Sequence, residues 1–251
     1  MTKIIMTGCS GKMGASIIAA AANREDVQIT GGVDLVAPKN ADFAYAPSFA
    51  QLECDADVIV DFSNPAVLDS MLAYASAHNM PAVICTTGYS EEQKKKISEA
   101  SKDIPIFYSG NMSLGINLII ELAKRAAAVF GESFDIEIIE QHHNQKLDAP
   151  SGTALMIADA VSQVRTGSEY VYDRHAYRKK RDKNEIGIHS VRGGNIVGEH
   201  EVIFAGQDEV LSISHSARSK TVFAVGALNA AVFLKGKQPG MYDMSDLLQS
   251  I

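Results

Sequence analysis

Lys3-Ile4-Ile5-Met6-Thr7-Gly8-Cys9-Ser10-Gly11-Lys12-Met13-Gly14 is the stretch whose reading decides the fold. Lys3 to Thr7 read as a buried strand. Glycines at 8, 11 and 14 follow, and an Ala/Ile-rich helix runs on to about Ala22. In a strand, glycine turn and helix of this kind the glycines have separate tasks. One makes the tight turn, one lets backbone approach a pyrophosphate, and one lets helix pack closely on sheet. A second strand, Val27 to Val33, ends at Asp34, 20 positions after Gly14. That is where a carboxylate can bind a ribose hydroxyl pair. The glycine spacing alone is a weak signal, because tight strand–helix turns also occur without nucleotides. The flanking strand, the helix and Asp34 together predict dinucleotide binding.

The alternation continues outward from this unit. Ala56 to Phe62 is a β-branched apolar run ending in Ser63-Asn64-Pro65. Asn64 suits an N-cap and Pro65 the first helical position, with a helix to about Asn79. Ala82 to Cys85 is a short strand leading into Thr86-Thr87-Gly88-Tyr89, and Ser90-Glu91-Glu92-Gln93 reads as a capping box. Ile104 to Tyr108 is a strand that ends at Ser109-Gly110-Asn111-Met112. Strands alternating with helices imply a parallel sheet with ligands at its carboxyl ends. The turns at Phe62, Thr86-Thr87-Gly88 and Asn111 lie at those ends, and each taken alone also reads as an ordinary polar loop.

The character changes near Asn111. Ser113 to Phe130 reads as a long helix and Phe134 to Glu140 as a strand with alternating polarity. Ile186 to Arg192, Ile196 to Ala205 and Glu209 to Ala217 read as three strands joined by Gly193-Gly194-Asn195 and Gly206-Gln207-Asp208. Short connections predict antiparallel neighbours. Val202, Phe204, Leu211 and Ile213 supply one or both apolar faces of an open sheet, and a partner subunit is a natural cover for it. Thr221 to Leu234 is an Ala/Val-rich helix that returns to the first domain. The expected fold is α/β. A Rossmann-like dinucleotide-binding domain takes residues 1–111 and 219–251. A central α+β domain, 112–218, carries an open mixed sheet for substrate binding and oligomerisation.

Composition narrows the function classes. The chain has 251 residues, 46% hydrophobic and 21% charged, with a formal net charge of −7, ordinary for a globular protein. That charge argues against general nucleic-acid affinity, so an anionic ligand needs a locally basic pocket. Cys9, Cys54 and Cys85 show no paired spacing, which predicts a reduced, cytoplasmic setting. No run has the length of a membrane span, and the start lacks the pattern of a signal peptide. The basic residues Arg174, Arg178, Lys179, Lys180, Arg181 and Lys183 read either as a solvated loop or as support for an acidic ligand.

The densest polar segment is Glu140-Gln141-His142-His143-Asn144-Gln145-Lys146-Leu147-Asp148-Ala149-Pro150-Ser151-Gly152-Thr153-Ala154. It joins a strand end to a helix start. The first N–H groups of that helix, near Ser151, Gly152 and Thr153, favour an anion, and Lys146 adds positive charge. Adjacent histidines on extended backbone point in different directions, so one can donate a proton while the other holds substrate. They do not face one ligand. With no His-Glu-x-x-His helix and no paired cysteines, no metal centre is expected.

This segment closely resembles the His-His-x-x-Lys-x-Asp-Ala-Pro-Ser-Gly-Thr signature of the 4-hydroxy-tetrahydrodipicolinate reductase family, also called dihydrodipicolinate reductase. Arg192-Gly193-Gly194-Asn195-Ile196-Val197-Gly198-Glu199-His200, Phe204-Ala205-Gly206 and Gly240-Met241-Tyr242-Asp243-Met244 are further family-like stretches. The resemblance implies NADH- or NADPH-dependent reduction of a small dicarboxylate in lysine and diaminopimelate biosynthesis, by a homotetramer. It implies His142 as general acid, with Lys146 holding a carboxylate and supporting the proton transfer. His143, Lys146, Ser151, Gly152 and Thr153 then bind substrate. The implied cofactor set is Gly8, Gly11, Lys12, Met13, Gly14, Asp34, Phe62, Thr86, Thr87, Gly88, Ser109, Asn111 and Met112.

Two departures from the family pattern bear on ligand choice. Leu35 and Val36 follow Asp34 where some members place an arginine for the 2′-phosphate of NADPH, and Lys220 stands where some carry arginine. Asp34 without such an arginine predicts dual use with a modest NADH preference, which Lys12 or Lys39 could reduce. A semialdehyde oxidoreductase of the same plan often needs a nucleophilic cysteine, for which Cys9, Cys54 and Cys85 are poorly placed. A dinucleotide-sensing protein without turnover would have no use for His142, His143 and Lys146 beside an anion site.

Overall fold

A computed structural model of the protein describes every residue except Asn40 and Tyr177. It resolves into two units, Met1–Ser113 with Thr221–Ile251, and Leu114–Lys220.

In the first unit the apolar run at the amino end becomes β1 (Thr2–Thr7), whose Ile4, Ile5 and Met6 are wholly buried. α1 (Lys12–Ala21) and β2 (Val27–Val33) follow, then β3 (Ala44–Ala46), β4 (Val58–Asp61), α2 (Leu68–Ala77), β5 (Ala82–Ile84), α3 (Glu91–Ala100) and β6 (Pro105–Tyr108). Asn64 Oδ1 accepts the Ala66 N–H at 2.9 Å and starts a 3₁₀ turn at Pro65 that leads into α2. The capping box at α3 forms in both directions, between Ser90 and Gln93.

The second unit holds α4 (Leu114–Phe130), β7 (Asp135–His142), α5 (Gly152–Ser162), β8 (Glu169–Val171), β9 (Glu185–Arg192), β10 (Gly198–Ala205) and β11 (Val210–Ala217). The chain then returns to the first unit as α6 (Thr221–Leu234), β12 (Gly240–Tyr242) and α7 (Met244–Gln249). The first unit's sheet has the order β12-β6-β5-β4-β1-β2-β3, and every pairing is parallel. The order reverses between β1 and β4, which opens a crevice at their carboxyl ends. Helix α6 is apolar on nearly every side. It sits tightly because residue 226 is glycine: a Cβ there would stand 1.7 Å from the Met112 carbonyl oxygen.

The second sheet has the order β11-β10-β7-β9-β8. β10 and β11 form the expected antiparallel hairpin. β9 departs from expectation: it does not pair with β10, because β7 lies between them, parallel to β9 and antiparallel to β10. The reason is in the registers. Ile136 and Ile138 align with Ile186 and Ile188 on one side and with Phe204 and Val202 on the other. With β7 central, two apolar rows close across three strands, covered by Ile116, Ile119, Ala154 and Ile157 of α4 and α5. The five residues 193–197 can step over one strand, since their reach of about 17 Å exceeds the roughly 10 Å between alternate strands. Gly193 N–H, donating to the His142 carbonyl at 2.9 Å, ties that connection to the end of β7. Leu211, opposite Phe204, remains 39% exposed.

Part of the basic run is engaged in ion pairs, while Arg178, Lys180 and Lys183 are exposed. Arg181 donates to Glu137, to Asp135 and to the carbonyls of Ile136 and Glu185. Arg174 pairs with Glu185, and Lys179 with Asp182. Among the described residues no helix is long and apolar enough to cross a membrane, and no group of three or more His, Cys, Asp or Glu is placed to hold a metal ion.

Candidate active site

The first unit builds a dinucleotide cleft from its turns. Gly8 has φ +80°, and a Cβ on it would lie 2.3 Å from the Phe62 carbonyl oxygen. A Cβ on Gly14 would lie 2.2 Å from the Gly8 oxygen. Any side chain at either position would push the loop away from β4 or from its own helix. Gly11 precedes α1 in extended conformation and donates to the Gly8 carbonyl at 3.1 Å. Lys12 and Met13 open the helix, with Lys12 exposed. Asp34 stands one residue past β2, and its Oδ2 accepts the Ser10 N–H at 2.9 Å, so the carboxylate faces the glycine loop. A cleft of about 440 Å³ runs along these strand ends, lined by Gly8, Gly11, Asp34, Leu35, Phe62 and Asn64 among others. Its volume lies within the range of small-molecule sites. The two glycines that tolerate no Cβ and the carboxylate beside them fit a bound dinucleotide.

The neighbouring turns continue the crevice. Thr86 Oγ1 accepts the Ser63 N–H at 2.8 Å, which links the turn after β5 to the turn after β4. Thr87 and Gly88 are exposed beyond it. Ser109, Asn111 and Met112 lie past the end of β6 and are buried there, with the Ser109 hydroxyl donating to the Asn111 carbonyl at 2.9 Å. Asp61, not singled out by the sequence reading, is 1% exposed at the end of β4. It accepts from the Ser63 and Tyr89 hydroxyls. Burial raises its pKa, against hydrogen bonds from Ser63, Thr86 and Tyr89 that lower it.

The second unit gathers a cluster of titratable side chains. Along β7 the covered face reads Ile136, Ile138, Glu140, His142. The apolar rows therefore give way to polar ones toward the strand end. His200, Glu140 and Ser190 share a row across β10, β7 and β9, and His142 and Arg192 share the next. Glu140 is wholly buried. Arg192 grips it with two hydrogen bonds of 2.8 and 2.7 Å, the Ser151 N–H donates to it at 3.1 Å, and His142 Nδ1 lies 2.5 Å away. Burial works to raise the Glu140 carboxyl, but the hydrogen bonds from Arg192, Ser190 and His142 prevail and hold it at about 2. Burial also pushes the His142 pKa below the ordinary histidine value, against the opposing pull of Glu140. His200 packs edge-on against His142 with centroids 5.3 Å apart, and burial holds it down to about 4.

The loop after β7 completes this half. His143 is half-buried, and its carbonyl accepts the Lys146 N–H at 3.1 Å. Lys146 pairs with Asp148 at 2.8 Å. Ser151 caps α5: its Oγ accepts the Ala154 N–H at 3.2 Å and meets His200 Nε2 at 3.0 Å. With its N–H on Glu140 and its residue only 2% exposed, Ser151 acts as an internal anchor. Gly152 and Thr153 present the more exposed part of the helix start. The sequence reading gave Glu140, Arg192 and His200 no roles. A carboxylate continuing the Ile136, Ile138 face was the one available signal for Glu140.

Comparison with known proteins agrees with both halves. Residues 2–112 match the family model described as dihydrodipicolinate reductase, N-terminus, and residues 115–248 match the one described as dihydrodipicolinate reductase, C-terminus. A 4-hydroxy-tetrahydrodipicolinate reductase from Caldanaerobacter subterraneus subsp. tengcongensis is 52% identical, over 99% of each chain. One from Clostridium novyi is 48% identical, over 100% of this chain and 99% of the relative. A dipicolinate-bound dihydrodipicolinate reductase from Paenisporosarcina sp. TG-14 has the same fold, with a TM-score of 0.78 at 24% identity over 97% of each chain. A myo-inositol dehydrogenase from Lactobacillus casei, solved with NAD(H), shares the fold more distantly, with a TM-score of 0.60 at 13% identity over 98% of this chain and 90% of its own. With a glycine-loop cleft fit for a nicotinamide dinucleotide and full-length matches on both units, the chain belongs to the 4-hydroxy-tetrahydrodipicolinate reductase family of oxidoreductases.

Proposed function

We propose that the chain reduces 4-hydroxy-tetrahydrodipicolinate to tetrahydrodipicolinate, with loss of water, in lysine and diaminopimelate biosynthesis, as a cytoplasmic homotetramer. The observation that supports this reading best is the placement of buried His142 one short loop before the helix start at Gly152, with Lys146 between them. A dicarboxylate that must be held and protonated needs those three elements.

The bound nicotinamide supplies the hydride, and Gly8, Gly11, Lys12, Met13, Gly14 and Asp34 hold the dinucleotide's phosphates and adenosine ribose. Phe62, Thr86, Thr87, Gly88, Ser109, Asn111 and Met112 form the turns on the nicotinamide side. The 4-hydroxyl and a neighbouring ring proton leave as water, and hydride addition to the resulting unsaturated ring leaves an electron-rich carbon that takes up a proton. His142 delivers it, since a histidine titrates in the range where proton transfer is efficient. Lys146 holds one carboxylate and stabilises charge as it develops. His143, the Thr153 hydroxyl and the amides of Gly152 and Thr153 hold the substrate's carboxylates, aided by the positive end of the helix, while Ser151 takes part by anchoring that helix start to Glu140.

The subunits of the tetramer pack through the half-buried face of the second sheet, where Ile139 and Ile203 lie beside Glu137 and Glu201. NADH serves at least as well as NADPH, because Asp34 can accept from both ribose hydroxyls but repels a 2′-phosphate.

The test is the fall in absorbance at the nicotinamide band when the product of the preceding pathway enzyme is generated in situ. Substrate-dependent oxidation of NADH is the expected result. Cofactor binding without substrate-dependent oxidation would mark the chain as a dinucleotide-binding protein without this activity.

A further inference from the structure

We infer that Glu140, locked by the fork of Arg192, is a positioning residue that fixes His142 as the Nδ1–H tautomer and ties it to the start of α5. The link to catalysis rests on the reading of His142 as the proton donor; the tautomer itself does not.

The argument starts from hydrogen-bond capacity. Glu140 sits on the covered face of β7, where its neighbours two and four residues back are wholly buried isoleucines. Besides the Ser190 hydroxyl, four N–H donors surround its two oxygens. Oε1 receives Arg192 Nη2 at 2.7 Å and the Ser151 N–H at 3.1 Å. Oε2 receives Arg192 Nη1 at 2.8 Å and faces His142 Nδ1 at 2.5 Å. An ionised carboxylate only accepts hydrogen bonds, so the nitrogen that meets it must carry the proton. A bidentate guanidinium fork fixes the carboxylate's plane as well as its charge. His142 Nδ1 is therefore the donor, and Nε2 is the nitrogen left to hand over a proton when the ring is charged. Gly198 keeps that side open: a Cβ there would stand 3.1 Å from Nε2.

The same arginine reaches further. Arg192 Nη2 also donates to the Asp148 carbonyl at 2.7 Å, and the Asp148 carboxylate pairs with Lys146. One guanidinium thus holds the carboxylate behind the proton donor and the loop that carries the lysine. The charged and titratable groups around His142 are Glu140 on β7, Arg192 on β9, His200 on β10, with His215 of β11 behind it, and Lys146 with Asp148 on the loop. Glu140 alone among those acting directly on His142 favours its charged form. Replacing it with a neutral residue removes the group that holds the proton on the ring.

A purely structural role for the Glu140–Arg192 pair predicts loss of folding without control of the imidazole. The readouts are chosen to separate the two. In full-length protein with ¹⁵N-labelled histidine and no ligand, NMR at a pH above the His142 titration reports the tautomer, the signal being assigned by its loss in His142→Gln. The Nδ1–H form is expected, and an Nε2–H form in the parent protein overturns the inference with no variant needed. In Glu140→Gln the Nδ1–H preference is lost and kcat falls by about 10-fold or more, up to the roughly 10²–10⁴-fold that a positioned general acid contributes. The loss of activity on raising the pH also moves to lower pH, because the ring gives up its proton more easily. Arg192→Lys keeps the charge but not the fork, and shows the same changes to a smaller extent. A folded Glu140→Gln protein with parental tautomer and pH profile overturns the inference. Unchanged kcat in His142→Gln with the Nδ1–H tautomer intact in the parent sinks the proton-donor assignment while leaving Glu140's control of the ring standing.

Discussion

Replacing Arg192 with leucine tests how the second unit tolerates a carboxylate at the centre of its sheet. Glu140 is wholly buried and is held at about 2, well under an ordinary glutamate at 4.5. A folded-state pKa below the unfolded value contributes stability that is present above about 4.5 and lost as the pH falls toward 2. The displacement corresponds to about 3 kcal/mol at neutral pH. Removing one partner of a buried ion pair costs roughly 3–5 kcal/mol, because the other charge is left without compensation. The two figures agree in scale. For a chain of this length each kcal/mol lowers the melting temperature by about 2–4 °C, so Arg192→Leu should lose roughly 6–20 °C at pH 7. Without the guanidinium, burial dominates and the Glu140 carboxyl rises above its unfolded value. The variant then regains stability on protonation, and its deficit against the parent narrows from pH 7 toward pH 4. Pairing the change with Glu140→Leu removes the orphaned charge, so Glu140→Leu/Arg192→Leu should melt above Arg192→Leu alone. Scanning calorimetry across that pH range is the assay. A deficit that stays constant with pH, or a double variant no more stable than the single one, would refute the claim that the loss comes from an unpaired buried carboxylate.

His142→Gln should lower kcat by about 10²–10⁴-fold with little effect on substrate affinity; an unchanged kcat in a folded variant removes it from the acid role. In the parent, the limb of kcat/KM falling with rising pH should report a pKa below the ordinary histidine value, and the limb of kcat a higher one, since a bound dicarboxylate favours the charged ring. Lys146→Ala should damage turnover severely and Thr153→Ala chiefly raise KM, because the Thr153 amide survives the change; equal effects confined to KM would contradict this division. The ratio of kcat/KM for NADH over NADPH should be one or modestly above it: Asp34 gains about 1.5–3 kcal/mol from ribose hydroxyls, while two like charges about 4 Å apart repel by roughly 4 kcal/mol before screening. Lys12→Ala should widen the ratio, and a tenfold preference for NADPH would show that the cations outweigh Asp34. Light scattering at micromolar concentration should give the mass of four chains, and a monomer there defeats the tetramer.

The fold was legible where its causes are local. β1 and the glycine loop could be read because a buried apolar run and three glycines act within fourteen residues. The β10–β11 hairpin was equally plain, since the Gly206 N–H and Glu209 carbonyl close a short turn between paired strands. The neighbour of β9 was not legible. Its short connection to β10 is real, but what decides its place is the match of Ile186 and Ile188 to Ile136 and Ile138, about fifty residues earlier. The edge strands β3, β8 and β12 have three residues each and no pattern of their own. The same limit governs the site. His142, Lys146 and the helix start stand within one loop, so they could be picked out together as candidates. Glu140 was visible only as a carboxylate out of place on an apolar face, because the arginine that explains it is 52 positions away.

The arrangement also explains how a chain with a net charge of −7 could attract a dianion. Within the basic run at 174–183, two of the arginines are already neutralised. Arg174 and Arg181 are engaged with Glu185, Glu137 and Asp135, and serve to pin the segment to the sheet. Around the start of α5 the charges are differently disposed. Arg192 is matched by wholly buried Glu140. Lys146 is paired with Asp148, whose side chain is 60% exposed. The Lys146 side chain is 21% exposed, so only the carboxylate end of this pair is open to water, and water can screen and replace that carboxylate more readily than it can a buried one. The Asp148 backbone carbonyl is fixed by Arg192, so the loop that carries Lys146 is tied to the buried pair. The buried pair gives rigidity and the pair open at one end gives exchange. The difference lies in the carboxylates: Arg192 and Lys146 are about equally exposed, at 20% and 21%, but Glu140 has no water around it whereas Asp148 is open to solvent, so the second pair parts more easily.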